Sequence, residues 1–282
     1  MGPGEVAPEW SPIGSPLGYV CCQARLCSET TRLPSARFSR CPRIKEPQRG
    51  NPCDRLHGLR APEAYVEWIN AHLGFNPRSQ ANSNALSDFV LADLRALCHE
   101  INTAIESGEL QVVPNATVKT KVAGRSVDLV LRGRTAPAVR VSVEHKTIMT
   151  AHGKARWNRY GDIIAYCNHM HNHGKESIAG GLVVVNTAPL YANPNGFAKG
   201  LVRPKFKMEK VVADTVKIFH QIPLRESPEE PNDQPEALAV IVVNYDGVQP
   251  ATLVDYLSAE SQIHYENFVR RIARLYVERF SQ

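Results

Sequence analysis

Three short runs of β-type residues, "ATVKTKV" (116–122), "SVDLVLR" (126–132) and "AVRVSVEHK" (138–146), are separated only by "AGR" and "GRTAP". Gaps this short leave room for turns and nothing more, so the second and third runs form an antiparallel hairpin. A helix precedes the runs: "SNALSDFVLADLRALCHEINTAIESG" carries Leu86, Val90, Leu94, Leu97, Ile101 and Ile105 on one stripe, predicting a helix from Ser83 to about Glu106 that stops at Gly108. A shorter amphipathic helix is expected over 62–75, ended by Gly74. After the hairpin come a helix from about Gly153 to His173, a strand "GLVVVN" (181–186), a long irregular segment, a strand "LAVIVVNY" (238–245) and a closing helix from about Ser258 to Phe280. This order predicts an α/β domain with a mixed central sheet flanked by helices.

Residues 1–60 hold eight of the twenty prolines and six glycines and show no sustained apolar period, the composition of a disordered leader or of sequence upstream of the true start. The domain is expected over 61–282. The leader also carries nine Arg or Lys against five acids, which leaves the remaining chain only one positive charge of the net +5. Nucleic-acid affinity, if present, must come from local patches. Five cysteines (Cys21, Cys22, Cys27, Cys41, Cys53) fall in the leader with neither CxxC nor zinc-module spacing. No apolar run approaches the ~20 residues that span a bilayer, and the first thirty residues lack a secretory pattern. The expected location is the cytoplasm.

Within the hairpin, side chains alternate between faces. The odd positions Val127, Leu129, Leu131, Val139, Val141 and Val143 are expected on one apolar face, and Asp128, Glu144 and Lys146 on the other. A turn near Arg134 to Ala136 sets Asp128 across from Ser142 or Glu144, with cross-strand Cβ atoms ~5 Å apart. Two carboxylates aimed at one point repel unless a cation bridges them, and a hard divalent ion with oxygen ligands does so most simply. Lys146 stands beside them. His145 points to the core face and reads as structural.

Helix, three strands bearing "VD" (Val127-Asp128) and "EHK" (Glu144 to Lys146), helix, strand: this arrangement over residues 83–187 resembles the core of the PD-(D/E)xK nuclease superfamily, typified by restriction endonucleases. Val127 stands where the family name has Pro. The resemblance implies a restriction-endonuclease-like αβββαβ core and a DNA endonuclease in which Asp128 and Glu144 bind Mg²⁺, with Mn²⁺ as a substitute, and Lys146 is catalytic. Such nucleases often add an acid from the first helix. At 100° per residue Asp93 and Glu100 fall at the edge of the apolar stripe and Asp88 on the far side, so Glu100 is the candidate third ligand and Asp93 the reserve.

Backbone contacts to DNA are expected from Lys154, Arg156 and Arg159 at the start of the next helix, whose buried arc is read as Trp157, Tyr160, Ile163, Ile164, Cys167 and Met170. A second basic stretch includes Lys205 and Lys207 and is expected beside the cleft, with the acidic half of the same segment, Glu226 to Glu236, in solvent. A homodimer is compatible with this reading. Alternatives are a non-catalytic nuclease-like DNA-binding module, a repair or junction-resolving nuclease, RNA as substrate, or a transition-metal site built from His169, His173 and Asp162 in "DIIAYCNHMHNH".

Overall fold

A computed structural model describes residues 60–77, 79–120, 123–135, 138–189, 191 and 207–281, all within one compact unit, Gln48–Gln282. The expected leader, apart from Arg60, lies outside the described residues, as does Lys205. The elements are α1 (Ala61–Ala71), α2 (Gln80–Leu97), α3 (His99–Glu106), β1 (Leu110–Lys119), β2 (Gly124–Gly133), β3 (Val139–Ile148), α4 (His152–His173), β4 (Ile178–Asn186), α5 (Met208–His220), β5 (Ala237–Asn244), β6 (Thr252–Leu253) and α6 (Tyr265–Phe280).

The six strands form one mixed sheet in chain order. β1, β2 and β3 pair antiparallel, β3, β4 and β5 parallel, and β6 returns antiparallel to β5. One face packs against α1, α2, α3 and α6 through Leu86, Val90, Leu129, Val143, Leu182 and Phe268. The other packs against α4 and α5 through Val130, Ile163, Met170, Val183, Val216 and Phe219. All nine residues of β4 are buried, as expected of a parallel strand covered on both faces.

Two glycines in β4 let the helices approach that closely. A Cβ on Gly181 would stand 2.8 Å from Leu238 Cδ1 and 3.1 Å from Ile163 Cδ1, whereas one on Gly161, mid-α4, would meet nothing within 4 Å. Overpacking costs typically ~1–3 kcal/mol, and replacing an exposed helical glycine by alanine gains up to ~1 kcal/mol. Urea denaturation of Gly181→Ala and Gly161→Ala is therefore expected to move the midpoint in opposite directions, down for the first and up for the second.

The expected long helix is broken at Cys98, whose extended backbone (φ −111°, ψ 104°) separates α2 from α3. Turning there lets α3 bury Ile101 and Ala104 and deliver the chain through Gly108, at φ +73°, into β1. β1 begins six residues before the expected start, because Pro114 is tolerated on an edge strand, where no neighbour needs its missing N–H. α6 starts at Tyr265 instead of Ser258, and the segment expected to be irregular contains α5, whose Val212, Thr215, Val216 and Phe219 form a buried helical stripe.

The hairpin's parity also departs from simple alternation. Leu129, Leu131, Val141 and Val143 share the α2 face, but Val127 and Val139 join Val130 on the α4 face. A bulge between Leu131 and Arg132 turns over the Val139 end. At the other end the change of face between Leu129 and Val127 falls beside Asn115, which sits at φ +51° on β1.

The acidic half of the 189–236 segment stays exposed at Glu226, Glu229 and Asp233 but not at Glu236. Glu226 is bound by Arg271 and Arg274 of α6, and Glu236 is fully buried. Glu236 Oε1 accepts from Arg225 and Arg279, each at 2.9 Å, while Oε2 accepts from Ala179 N and approaches His171 Nε2, also at 2.9 Å.

Candidate functional site

β2 and β3 pair only between Leu129↔Val143 and Arg132↔Val139. Beyond Leu129, β2 continues to Gly124 against β1 alone, and beyond Val143, β3 continues to Ile148 against β4 alone. The two strands therefore part, and Asp128, Glu144 and Lys146 stand at the mouth of the resulting fork. The His145 N–H, facing the gap, donates instead to Asp128 Oδ2 at 2.7 Å. Ser83 Oγ, in the first turn of α2, donates to Asp128 Oδ1 at 2.5 Å. Both carboxylate oxygens of Asp128 are thus held in place by fixed donors.

Glu144 is only 4% exposed. Its Oε1 accepts from Lys146 Nζ at 2.6 Å and from Arg125 Nη2 at 3.2 Å, while its Oε2 is buried with no hydrogen-bond partner among the described residues. Leaving a buried carboxylate oxygen unpaired is costly. Burial pushes the Glu144 carboxyl above its ordinary value and nearby Asp128 adds to this, against the pull of Lys146 and Arg125. The imidazole of His145, on the α2 face, is driven down to about 4 by burial in spite of Asp128.

A carboxyl whose pKa is raised in the native state holds its proton there more tightly than in the unfolded chain. The stability it contributes is present below the unfolded value and lost as pH rises through the folded one. Without divalent ions, Glu144→Gln is therefore expected to melt higher than wild type at pH 8, with the difference vanishing toward pH 4. Thermal melts in chelator across that range check it.

Among the described residues, no group of three or more His, Cys, Asp or Glu side chains stands around one point. The fork offers two carboxylates, one with an unpaired oxygen. That donor set fits Mg²⁺, which is bound through one or two carboxylates and keeps several waters. It does not fit a site that needs four protein ligands.

The structure brings together Asp128, Glu144 and Lys146 but not Glu100. Glu100 lies in α3, its Oε2 3.5 Å from Cys98 Sγ. The first turn of α2, through Ser83, is what reaches the fork; at ~1.5 Å per residue the end of α2 at Leu97 lies roughly 21 Å further on, and Glu100 follows it on α3. Asp93 is buried and accepts from Arg60 N, Ala61 N and Tyr265 Oη, satisfying the first turn of α1.

Lys154 is exposed near the start of α4 and makes no ion pair among the described residues. Arg156 lies 3.7 Å from Asp214, and Arg159 donates to Asp162 at 2.6 Å, so both already face carboxylates. Lys207 is exposed at the N-cap of α5. Trp157, expected in the buried arc, is 57% exposed. His169 Nε2 and His173 Nδ1 lie 2.9 Å from the carbonyls of Val118 and Lys119 on β1, which ties them to the sheet edge.

Sequence reasoning missed Ser83 and Arg125 as parts of the site. Arg125 lies in the "AGR" gap, and its odd parity, shared with Val127, assigns it to the face opposite Asp128 and Glu144, so strand alternation gives no signal for it. A cavity of about 320 Å³ between β5, β6 and the starts of α1 and α6 contains none of the fork residues.

No family model matches the chain, and neither a curated protein nor a solved structure matches it significantly.

Proposed function

We propose that the protein is a divalent-cation-dependent nuclease of the PD-(D/E)xK type that hydrolyses phosphodiester bonds in DNA at the fork between β2 and β3. The observation that carries this reading is the buried Glu144, with one oxygen bound by two cationic side chains and the other unpaired, beside a second carboxylate held by two fixed donors. Such a cluster is a poor element of stability and a good receptor for a cation. Asp128 and the free oxygen of Glu144 would hold the ion. When bound, Mg²⁺ supplies charge neutralisation at the phosphate and lowers the pKa of a coordinated water.

Ser83 and the His145 N–H fix the Asp128 carboxylate, so little reorganisation accompanies binding. Lys146, anchored on Glu144, orients the attacking water. In the overall reaction the water oxygen bonds to phosphorus, the bond to the leaving deoxyribose oxygen breaks, and that oxygen takes up a proton in place of the one the water loses. The exposed Lys154 and Lys207 serve as phosphate-backbone contacts.

The test is incubation of the full-length protein with plasmid, linear, branched and single-stranded DNA, and with RNA, in Mg²⁺ or in EDTA. Nicking or cutting of a DNA substrate in Mg²⁺ alone is expected. Mg²⁺-independent tight binding without cleavage of any substrate would favour the binding-module reading instead.

A further inference from the structure

Arg125 is held without being used up. Its Nη2 donates both to Glu144 Oε1 and to the carbonyl of Asp162, each at 3.2 Å, and the guanidinium carbon lies 5.8 Å from the centroid of the Tyr166 ring. Tyr166 is fixed in turn by Ser142 at 2.7 Å. Nε is buried without a partner, and Nη1 makes no hydrogen bond among the described residues, although the side chain is 26% exposed. A guanidinium fastened at Nη2 over an aromatic ring, with Nε buried, leaves Nη1 as a cationic donor held in place to meet a phosphate oxygen.

Charge points the same way. Asp128 and Glu144 are balanced by Lys146 and Arg125, so a bound divalent ion makes the site doubly positive, matching a phosphodiester and an attacking hydroxide. Without Arg125 the site falls one positive charge short. Glu144 alone does not require Arg125, since Lys146 already binds the same oxygen at the shorter distance.

We propose that Arg125 is a further catalytic residue of the site, donating to a non-bridging oxygen of the scissile phosphate as negative charge builds there during hydrolysis. The inference rests on the nuclease reading and adds to it a residue outside the sequence motif. It differs from the roles of Lys154 and Lys207 in acting on the reacting group and not on flanking phosphates.

The experiment measures three quantities for wild type, Arg125→Ala and Arg125→Lys. They are the single-turnover cleavage rate in Mg²⁺, the affinity for the same DNA in Ca²⁺ without cleavage, and the melting temperature. Loss of one preorganised donor to a developing oxyanion costs ~10²–10³-fold in rate. Arg125→Ala is expected to lose about that much rate and less than about tenfold in affinity. Arg125→Lys keeps the charge that balances Glu144, and is expected to melt close to wild type while remaining at least about tenfold slower, because Lys lacks the planar fork. Wild-type rates within about threefold in either variant would overturn the proposal, as would an affinity loss in Arg125→Ala as large as its rate loss. A wild type that cleaves no substrate would overturn the nuclease reading itself, and this assignment with it.

Discussion

Asp128→Asn and Glu144→Gln are each expected to reduce Mg²⁺-dependent cleavage by three or more orders of magnitude. On the proposed reading an ion at the fork would supply several kcal/mol of charge stabilisation, and each ~1.4 kcal/mol is a factor of ten in rate. Both substitutions keep the shape of the side chain. In Asp128→Asn the amide oxygen can still accept from the His145 N–H while the amide nitrogen donates to Ser83 Oγ, so the fold is preserved while the ligand charge is lost. Lys146→Ala is expected to lose ~10²–10⁴-fold, the range for a group that handles the nucleophile's proton or orientation, while retaining the cation. Because burial holds the Glu144 carboxyl above its ordinary pKa, proton and cation compete for it at higher pH than at an exposed glutamate, and the acid limb of the rate profile shifts upward accordingly. Single-turnover rates from pH 5 to 9 measure both effects. Cleavage undiminished in Asp128→Asn and in Lys146→Ala would remove the fork from the chemistry.

The largest loss of stability is expected at Glu236, far from any role in cleavage. Its carboxylate is fully buried and is the meeting point of Arg225, Arg279, His171 and the N–H of Ala179. Arg225 is itself fully buried, and its other bonds go to the carbonyls of Lys175, Pro228 and Glu230. Removing one partner of a buried charge network leaves uncompensated charge and costs ~3–5 kcal/mol, a large share of the ~5–15 kcal/mol that holds a typical domain folded. For a domain of this size Glu236→Ala should therefore lower the melting temperature by roughly 10 °C or more. Burial alone would raise the Glu236 carboxyl, but hydrogen bonds from His171 and the Ala179 N–H, with the charge of Arg279, hold it below its ordinary value of 4.5. A lowered native pKa contributes stability above the unfolded value that is lost as pH falls through the folded one. The difference between wild type and Glu236→Gln should accordingly narrow on acidification below about pH 4.5. Melting curves that coincide at pH 7.5 would show that the network contributes nothing.

Much of the α/β order was legible because it rests on periodicity. The stripe of Leu86, Val90 and Leu94 and the apolar runs of β4 and β5 are fixed by burial on helices and on a covered sheet. What failed depended on contacts distant in sequence. Pro114-Asn115 looks like a turn until β1 is known to be an edge strand, and the break at Cys98 follows from how α3 meets the sheet. The stripe of α5 was obscured by the basic residues around it, and Glu236 among acids and prolines gave no sign of Arg225, His171 and Arg279 converging on it from other parts of the chain. At the site, Asp128, Glu144 and Lys146 could be read from the alternation of two adjacent strands. Ser83 and Arg125 could not, since one depends on which turn of α2 crosses the fork and the other on where β2 begins. Helical angle, which sets Glu100 at the edge of the apolar stripe, says which side of a helix a residue occupies and nothing of which end reaches the sheet.

The most direct test of the fork as a cation site is calorimetric titration of Mn²⁺, and then Mg²⁺, into chelator-treated full-length protein, with Asp128→Asn, Glu144→Gln and Lys146→Ala alongside. One saturable site per chain is predicted for wild type, retained in Lys146→Ala and lost in both carboxylate variants. Absence of saturable binding in wild type, or a site that survives both Asp128→Asn and Glu144→Gln, would contradict the account.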